Sequence, residues 1–187
     1  MTVLVNNLLD MARLESGSAE LKRQWSSLEE LVGSVLARLA EPLAAHAVKV
    51  ELAPDLPLVS VDPVLIEQVL ANLLENAAKY TPAGTPIEIR ARLDQERMTV
   101  EVADRGPGIP AGDEARLFDK FYRVHAESAQ SGVGLGLAIC KAIVDAHGGR
   151  ITAANRADGG AVFRLELPAG TPPSIEAEPA VPARTAP

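Results

Sequence analysis

The stretch Asn72-Leu-Leu-Glu-Asn76-Ala-Ala-Lys79-Tyr80-Thr81 limits what this chain can fold into more than any other, because it divides one helix into an apolar and a polar face. The helix starts near Asp62-Pro63. Asp62 is a good N-cap, and Pro63 falls at the first helical position, where its missing N–H costs nothing. Val69, Leu70, Leu73 and Ala77 form a core stripe. Asn72 and Asn76 share a different face, with Lys79 a turn further on. Two readings fit. In one, the asparagines are solvated polar positions beside a Glu75–Lys79 ion pair. In the other, the face is a site: carboxamides are neutral oxygen ligands suited to a hard cation such as Mg²⁺, and Lys is a point charge for phosphate.

Composition narrows the classes. A chain of 187 residues that is 47% hydrophobic can bury one core built mainly of Leu, Val, Ile and Ala. A net charge of −7 without a Lys/Arg cluster argues against a nucleic-acid surface. The single cysteine, Cys140, excludes an internal disulfide and suits a reducing compartment; flanked by Ile139 and Ile143, it reads as a small core residue. No apolar run approaches the ~20 residues needed to span a bilayer, and no signal-peptide pattern opens the chain.

In chain order, residues 1–15 carry apolar residues at Met1, Leu4, Leu8 and Met11, the seam of a helical hairpin or coiled coil, stopped by Gly17. A second helix is expected over Ser27–Ala45, with Pro42 bending or ending it. A strand pair, Val48–Leu52 and Leu58–Val61, precedes the asparagine helix. After a turn at Pro82-Ala-Gly84, Ile87–Leu93 and Met98–Ala103 form a hairpin. A short helix over Ala111–Leu117 leads into 118–131, whose weak periodicity and small polar end suggest a lid anchored by Phe118, Phe121 and Tyr122. A helix over Leu135–His147 ends at His147-Gly-Gly149, with His147 as a C-terminal cap favourable to the helix dipole. Ile151–Asn155 and Ala161–Leu167 close the fold, turned at Asp158-Gly-Gly160, and from Pro168 the Pro/Ala-rich sequence reads as a disordered tail. This order predicts an α+β domain: an α/β sandwich whose mixed, mostly antiparallel sheet has helices on one face.

Two further motifs bear on chemistry. Asp104 stands at a strand end, followed by Gly106 and Gly108. The carboxylate can accept a hydrogen bond from an exocyclic amine such as that of adenine, and the glycines let a ring lie against the backbone. The alternative is a turn in which Asp104 caps its own loop. Gly132, Gly134 and Gly136 run into a helix N-terminus, where exposed N–H groups and the dipole favour an anion; close packing is the competing reason for glycine. No Walker loop or dinucleotide fingerprint is present. Lys120 and Arg123 are candidates to reach a phosphate, and each would serve equally as a solvated charge.

Taken together, these motifs resemble those of the sensor histidine kinases. Asn72–Thr81 resembles their N box, Asp104-Arg-Gly-Pro-Gly108 their G1 box, Leu117-Phe-Asp-Lys-Phe-Tyr-Arg123 their F box, and Gly132-Val-Gly-Leu-Gly-Leu137 their G2 box, in matching order and spacing. The segment Val5–Gly17 resembles the end of the second helix of their dimerisation and phosphoacceptor hairpin. That wording, with Arg23-Gln-Trp25 and Leu28-Glu-Glu30, is most similar to the potassium-responsive branch of the family.

The resemblance implies the Bergerat-type ATP-binding fold shared by histidine kinases, DNA gyrase, Hsp90 and MutL. It implies ATP and Mg²⁺ as cofactors. Asn76 would hold the metal, with Asn72 as a second candidate ligand. Lys79 and Tyr80 would meet the phosphates, Asp104 the adenine amine, and Gly106 and Gly108 the ring. Gly132, Gly134, Leu135 and Gly136 would hold the triphosphate. The implied domains are 1–17, the end of the second hairpin helix; 18–167, the catalytic and ATP-binding domain; and 168–187, the tail.

One departure is plain. The family phosphorylates a histidine in a His-Glu/Asp-x-x-x-Pro-like box on the first hairpin helix, and none of His46, His125 and His147 lies in one. The chain is therefore expected to be a piece of a longer kinase that does not phosphorylate itself. Its implied partners are ATP, a phosphoacceptor hairpin outside this chain, a response regulator, and a second copy through residues 1–15. Neither nucleic acid nor membrane contact is expected of it, and its place would be cytoplasmic, on the inner side of a membrane-anchored protein. A non-catalytic nucleotide-binding module and an anti-sigma-factor-type serine kinase are the alternatives; the latter lacks a leading hairpin helix.

Overall fold

The structure, a computed structural model, describes residues 20–124 and 134–170. The expected hairpin helix over 1–15, Gly132, the lid residues 125–131 and the tail from 171 onward lie outside the described residues.

The elements are β1 (Gln24–Ser26), α1 (Leu28–Arg38), β2 (Val48–Leu52), β3 (Val59–Val61), α2 (Pro63–Tyr80), β4 (Ile87–Asp94), β5 (Arg97–Ala103), a 3₁₀ turn (Arg116–Phe118), α3 (Gly136–Ala146), β6 (Arg150–Asn155) and β7 (Ala161–Pro168). Five strands form one sheet in the order β2-β4-β5-β7-β6. β2 runs parallel to β4, and the other pairs are antiparallel. The expected α/β sandwich with a mostly antiparallel sheet is the observed architecture.

Alternation along the strands separates the two faces of this sheet. Ile87, Ile89 and Ala91 of β4, Met98, Val100 and Val102 of β5, and Phe163, Leu165 and Leu167 of β7 are buried and join the helices in one core. The residues between them carry charge and pair across strands: Arg90 with Glu51 at 2.9 Å, Arg92 with Glu101 at 3.3 Å, and Arg164 with Glu101 at 2.9 Å. Exposed pairs of this kind are each worth about 0–1 kcal/mol, so stability rests on the apolar face. Helix α2 supplies Ile66, Val69, Leu70, Leu73, Leu74 and Ala77 to it, all buried. Each such large side chain contributes about 1.5–3 kcal/mol of transfer free energy.

Three local expectations are corrected. The helix expected over Ser27–Ala45 ends at Arg38, followed by turns. The Pro42 ring would meet the carbonyl of Arg38 if the helix continued. The strand pair expected before α2 does not form: β3 pairs with β1, Trp25 facing Ser60, while β2 joins β4. The short helix expected over Ala111–Leu117 is reduced to the 3₁₀ turn Arg116–Phe118, because Pro110-Ala-Gly112 turn the chain first. At the other end β7 continues through Pro168. The Ala169 N–H donates to the Glu96 carbonyl at 2.8 Å, and Gly170 packs against the Trp25 ring.

Helices α2 and α3 pack side by side in opposite directions, Asp62 at the start of α2 meeting His147 at the end of α3, and the candidate site is at the other end, where α3 begins. Asp62 caps α2 as expected, its Oδ1 accepting from the Leu65 N–H at 3.3 Å and its Oδ2 from the Lys22 N–H at 3.0 Å.

Candidate nucleotide-binding site

The polar face of α2 is where the helical spacing puts it. Asn72, Asn76 and Lys79 are half-buried, whereas Glu75 is exposed on another side of the helix. Lys79 Nζ lies 5.1 Å from the centre of the Tyr80 ring. Asn72 looks directly at the start of α3: a side-chain carbon built on Gly136 would stand 3.5 Å from Asn72 Oδ1. Leu135, the N-cap residue of α3, is buried and anchors the turn. Asn72 and the first turn of α3 are therefore neighbours, a proximity that no spacing within the sequence measures.

Gly134 holds this turn to the preceding segment. Its φ of +74° is left-handed, and a side-chain carbon there would lie 2.9 Å from both the carbonyl carbon of Phe121 and the carbonyl oxygen of Tyr122. Its own carbonyl accepts from the Phe121 N–H at 2.9 Å. Only glycine satisfies both demands at low cost. The aromatic anchors expected of the lid divide accordingly. Phe118 is buried, and the Tyr122 ring packs 4.6 Å from the Arg116 guanidinium. The Phe121 ring, 60% exposed, is held through its backbone, at a φ of +64°. Lys120 is exposed and Arg123 half-buried on this same segment.

Asp104, at the end of β5, is buried. Its Oδ1 accepts from the Gly106 N–H at 2.7 Å and from the Ala161 N–H at 3.3 Å. The cap-its-own-loop and amine-acceptor readings are thus compatible, because both bonds fall on Oδ1 and neither engages Oδ2. Gly106 presses against α2: a side-chain carbon there would be 2.8 Å from the Tyr80 carbonyl oxygen. Beside it, the Thr81 Oγ1 is buried and has no hydrogen-bond partner among the described residues.

Several residues of this region were not singled out in the sequence. Asn155, at the end of β6, accepts from the Ile109 N–H through Oδ1 and donates from Nδ2 to the Ile109 carbonyl, both at 2.7 Å. Glu88 of β4 gathers Arg90 at 2.6 Å, Arg156 at 3.4 Å and Arg105 at 3.8 Å, and Asp158 binds Arg105 at 2.7 Å. The guanidinium groups hold the Asp158 carboxyl below its ordinary range. These charges fasten the loop after Asp104 to the β6–β7 turn. No spacing rule brings such distant positions together.

Among the described residues there is no cluster of three or more His, Cys, Asp or Glu that could hold a metal. The donor set present, the neutral carboxamides of Asn72, beside the glycine turn, and of Asn76 one turn further along α2, fits Mg²⁺ only in company with phosphate oxygens, which is how that ion is commonly held. No helix of the described residues is long and apolar enough to cross a membrane. Two surface concavities of about 600 and 630 Å³ lie elsewhere, at the β4–β5 turn and between α1 and β2.

Comparison with known proteins gives a consistent answer. Residues 61–171 match the family described as histidine kinase-, DNA gyrase B-, and HSP90-like ATPase. The chain is 54% identical over 175 residues to the sensor protein KdpD of Escherichia coli (strain K12), covering 94% of this chain and 20% of that protein. It is 40% identical to KdpD of Clostridium acetobutylicum, covering 88% of this chain and 19% of that protein. The chain thus spans about a fifth of the length of these curated relatives. Among solved structures, full-length ShkA in complex with AMPPNP superposes with a TM-score of 0.78 at 31% identity, over 91% of this chain and 36% of that one. The nucleotide-free catalytic domain of histidine kinase ThkA gives 0.70 at 31%, over 80% of this chain and 96% of that one. The chain therefore belongs to the histidine kinase-, DNA gyrase B- and HSP90-like ATPases, as an ATP-binding catalytic domain of the histidine-kinase kind similar to that of KdpD.

Proposed function

We propose that this chain holds ATP so that its γ-phosphoryl passes to a histidine on a hairpin helix outside the chain, and thence to a response regulator. The observation that carries the reading is the carboxamide of Asn72, half-buried against Gly136. The gyrase-type and Hsp90-type members of this fold place a water-activating carboxylate four residues before the metal-binding asparagine. Asn72 occupies that place here, and a carboxamide takes no proton at neutral pH. Glu75, exposed and about 100° round the helix from Asn76, does not replace it. A site without a base for water suits transfer to a supplied nucleophile, where the protein contributes position and charge neutralisation.

In this reading Asp104 takes the adenine amine through Oδ2, and Gly106 and Gly108 admit the ring. Gly132, Gly134, Leu135 and Gly136 surround the triphosphate with backbone N–H groups. Lys79, Tyr80, Lys120 and Arg123 reach phosphate oxygens. Asn76, with Asn72, holds Mg²⁺, whose part is to neutralise charge on the phosphate oxygens. Residues 1–17 are the end of the second hairpin helix, through whose residues 1–15 two copies pair, 18–167 are the catalytic unit, and 168–187 are an appended tail. The domain works on the cytoplasmic side of a longer sensor protein.

The test is label transfer from γ-labelled ATP. The expected result is label on a separately supplied hairpin bearing the phosphoacceptor histidine, and none retained by this chain alone. Label appearing stably on this chain, or on a serine-bearing partner instead of the hairpin, contradicts the proposal.

A further inference from the structure

The loop after Asp104 is held at both ends by one cross-strand pair. Asn155 and Ala161 face each other in the β6–β7 register. Ala161 grips the loop's first residue twice: its carbonyl accepts from the Asp104 N–H at 2.9 Å, and its N–H donates to Asp104 Oδ1 at 3.3 Å. Asn155 grips its last residue twice, through the two 2.7 Å bonds to the backbone of Ile109. A side-chain carboxamide here does what a neighbouring strand would do, pairing one N–H and one C=O of the same residue.

The fit is close. Gly108 has a φ of +79°, and a side-chain carbon on it would stand 2.7 Å from Asn155 Oδ1. A side-chain carbon on Gly160, in the turn joining the strands, would collide with the Asp104 carbonyl oxygen. The turn that bears Asn155 is itself fixed, since Arg156 bonds Asp158 at 3.1 Å and Arg105 reaches across to Asp158. The ends of the six-residue segment Asp104–Ile109 are thereby tied to a rigid hairpin, and Pro107 in its middle is exposed.

We propose that Asn155 is a positioning residue for the base end of the nucleotide site, setting the height and tilt of the loop on which the adenine rests. This rests on the reading of that loop given above. Asn155 touches neither phosphate nor metal in this arrangement, so its effect falls on the base end alone. The residue is exposed on its outer side, so its removal leaves the core intact.

The experiment compares the parent chain with Asn155→Ala and Asn155→Asp by titration with ATP, adenosine and inorganic tripolyphosphate, each with Mg²⁺, and by amide hydrogen exchange at Ile109. In Asn155→Ala, affinity for ATP and adenosine should fall about tenfold, the size of effect expected from a misplaced recognition loop. Tripolyphosphate binding should be unchanged, and the Ile109 amide should exchange faster. Asn155→Asp keeps the acceptor for the Ile109 N–H but turns lone pairs toward its carbonyl, so it should show an intermediate loss. Equal losses for adenosine and tripolyphosphate would mean a general structural role and overturn the proposal. Unchanged ATP affinity with unchanged Ile109 exchange would overturn it while leaving the nucleotide site standing. A parent chain that binds neither ATP nor adenosine would remove the site reading and this role together, even with Ile109 exchange altered in the variants.

Discussion

The Nε2 of His147 accepts a 3.0 Å hydrogen bond from the backbone N–H of Asp62, while Nδ1 of the same buried ring donates to the Ile143 carbonyl at 2.7 Å. With one nitrogen accepting, the imidazole is neutral. It joins the C-terminal end of α3 to the N-cap of α2 and so sets the two helices against each other at the end remote from the proposed nucleotide site. A neutral ring brings no charge to the α3 dipole. The sequence expectation for His147 is right about its place at the helix end and wrong about the source of its stabilisation. Positive charge at that terminus comes from Arg23, whose guanidinium donates to the Ala146 carbonyl at 3.2 Å.

This bond makes stability depend on pH in a definite sense. Burial, aided by the nearby Arg23 charge, lowers the His147 pKa from its ordinary 6.5. The unfolded chain then binds a proton that the folded chain refuses, and stability is lost as pH falls below about 6.5, down to the lowered folded value. Urea midpoints should decrease from pH 7.5 to pH 5.5. His147→Gln, which keeps an acceptor for the Asp62 N–H and has no proton to take, should flatten that part of the dependence while lowering stability at pH 7.5. A parent chain with equal midpoints at both pH values would contradict the assignment.

Asp104 has two separable tasks. Its Oδ1 satisfies the Gly106 and Ala161 N–H groups, and its Oδ2 is the proposed acceptor for an exocyclic amine. Asp104→Asn keeps the first and replaces the second with a donor. Its thermal midpoint should stay near the parent's while ATP affinity falls about 100-fold or more, the loss expected for unmatched polar groups in a recognition site. Asp104→Ala should cost about 1–3 kcal/mol of stability as well, from the N–H groups left without an acceptor. Thermal denaturation and titration of both variants separate the two tasks.

Cys140 is fully buried on α3, its thiol directed at the Val69 carbonyl at 3.9 Å. Burial pushes the thiol up to about 12, with the Asn72 side chain drawing it slightly back. The reactive thiolate is therefore scarce at pH 8. Alkylation by iodoacetamide should be negligible in the native chain and rapid in 6 M urea. Fast native labelling would show that α3 opens away from α2.

The sequence carried the main elements because their signals are local. Asp62-Pro63 marks a helix start, the 3.6-residue stripe marks its buried face, and alternation marks β4, β5 and β7. The residues proposed for the nucleotide site were legible as motifs because each lies within a few residues of the others in its box. Strand partnership was not: the pairing of β1 with β3, and of β2 with β4, depends on which edges the packed core leaves free. Nor were Asn155 and Glu88, whose meaning comes from neighbours far along the chain, such as Ile109 for Asn155 and Arg156 for Glu88. A polar residue at a strand end has no periodicity to announce it.

In the proposed function, α2 and the glycine turn of α3 form an ATP–Mg²⁺ site with Asn76 at its centre. Calorimetric titration of ATP with Mg²⁺ into the parent chain and into Asn76→Ala tests it most directly. One-to-one binding by the parent is expected, with a loss of about 100-fold or more in the variant, whose half-buried position on the polar face of a well-packed helix leaves the fold intact. No binding by the parent, or equal binding by both, would contradict it.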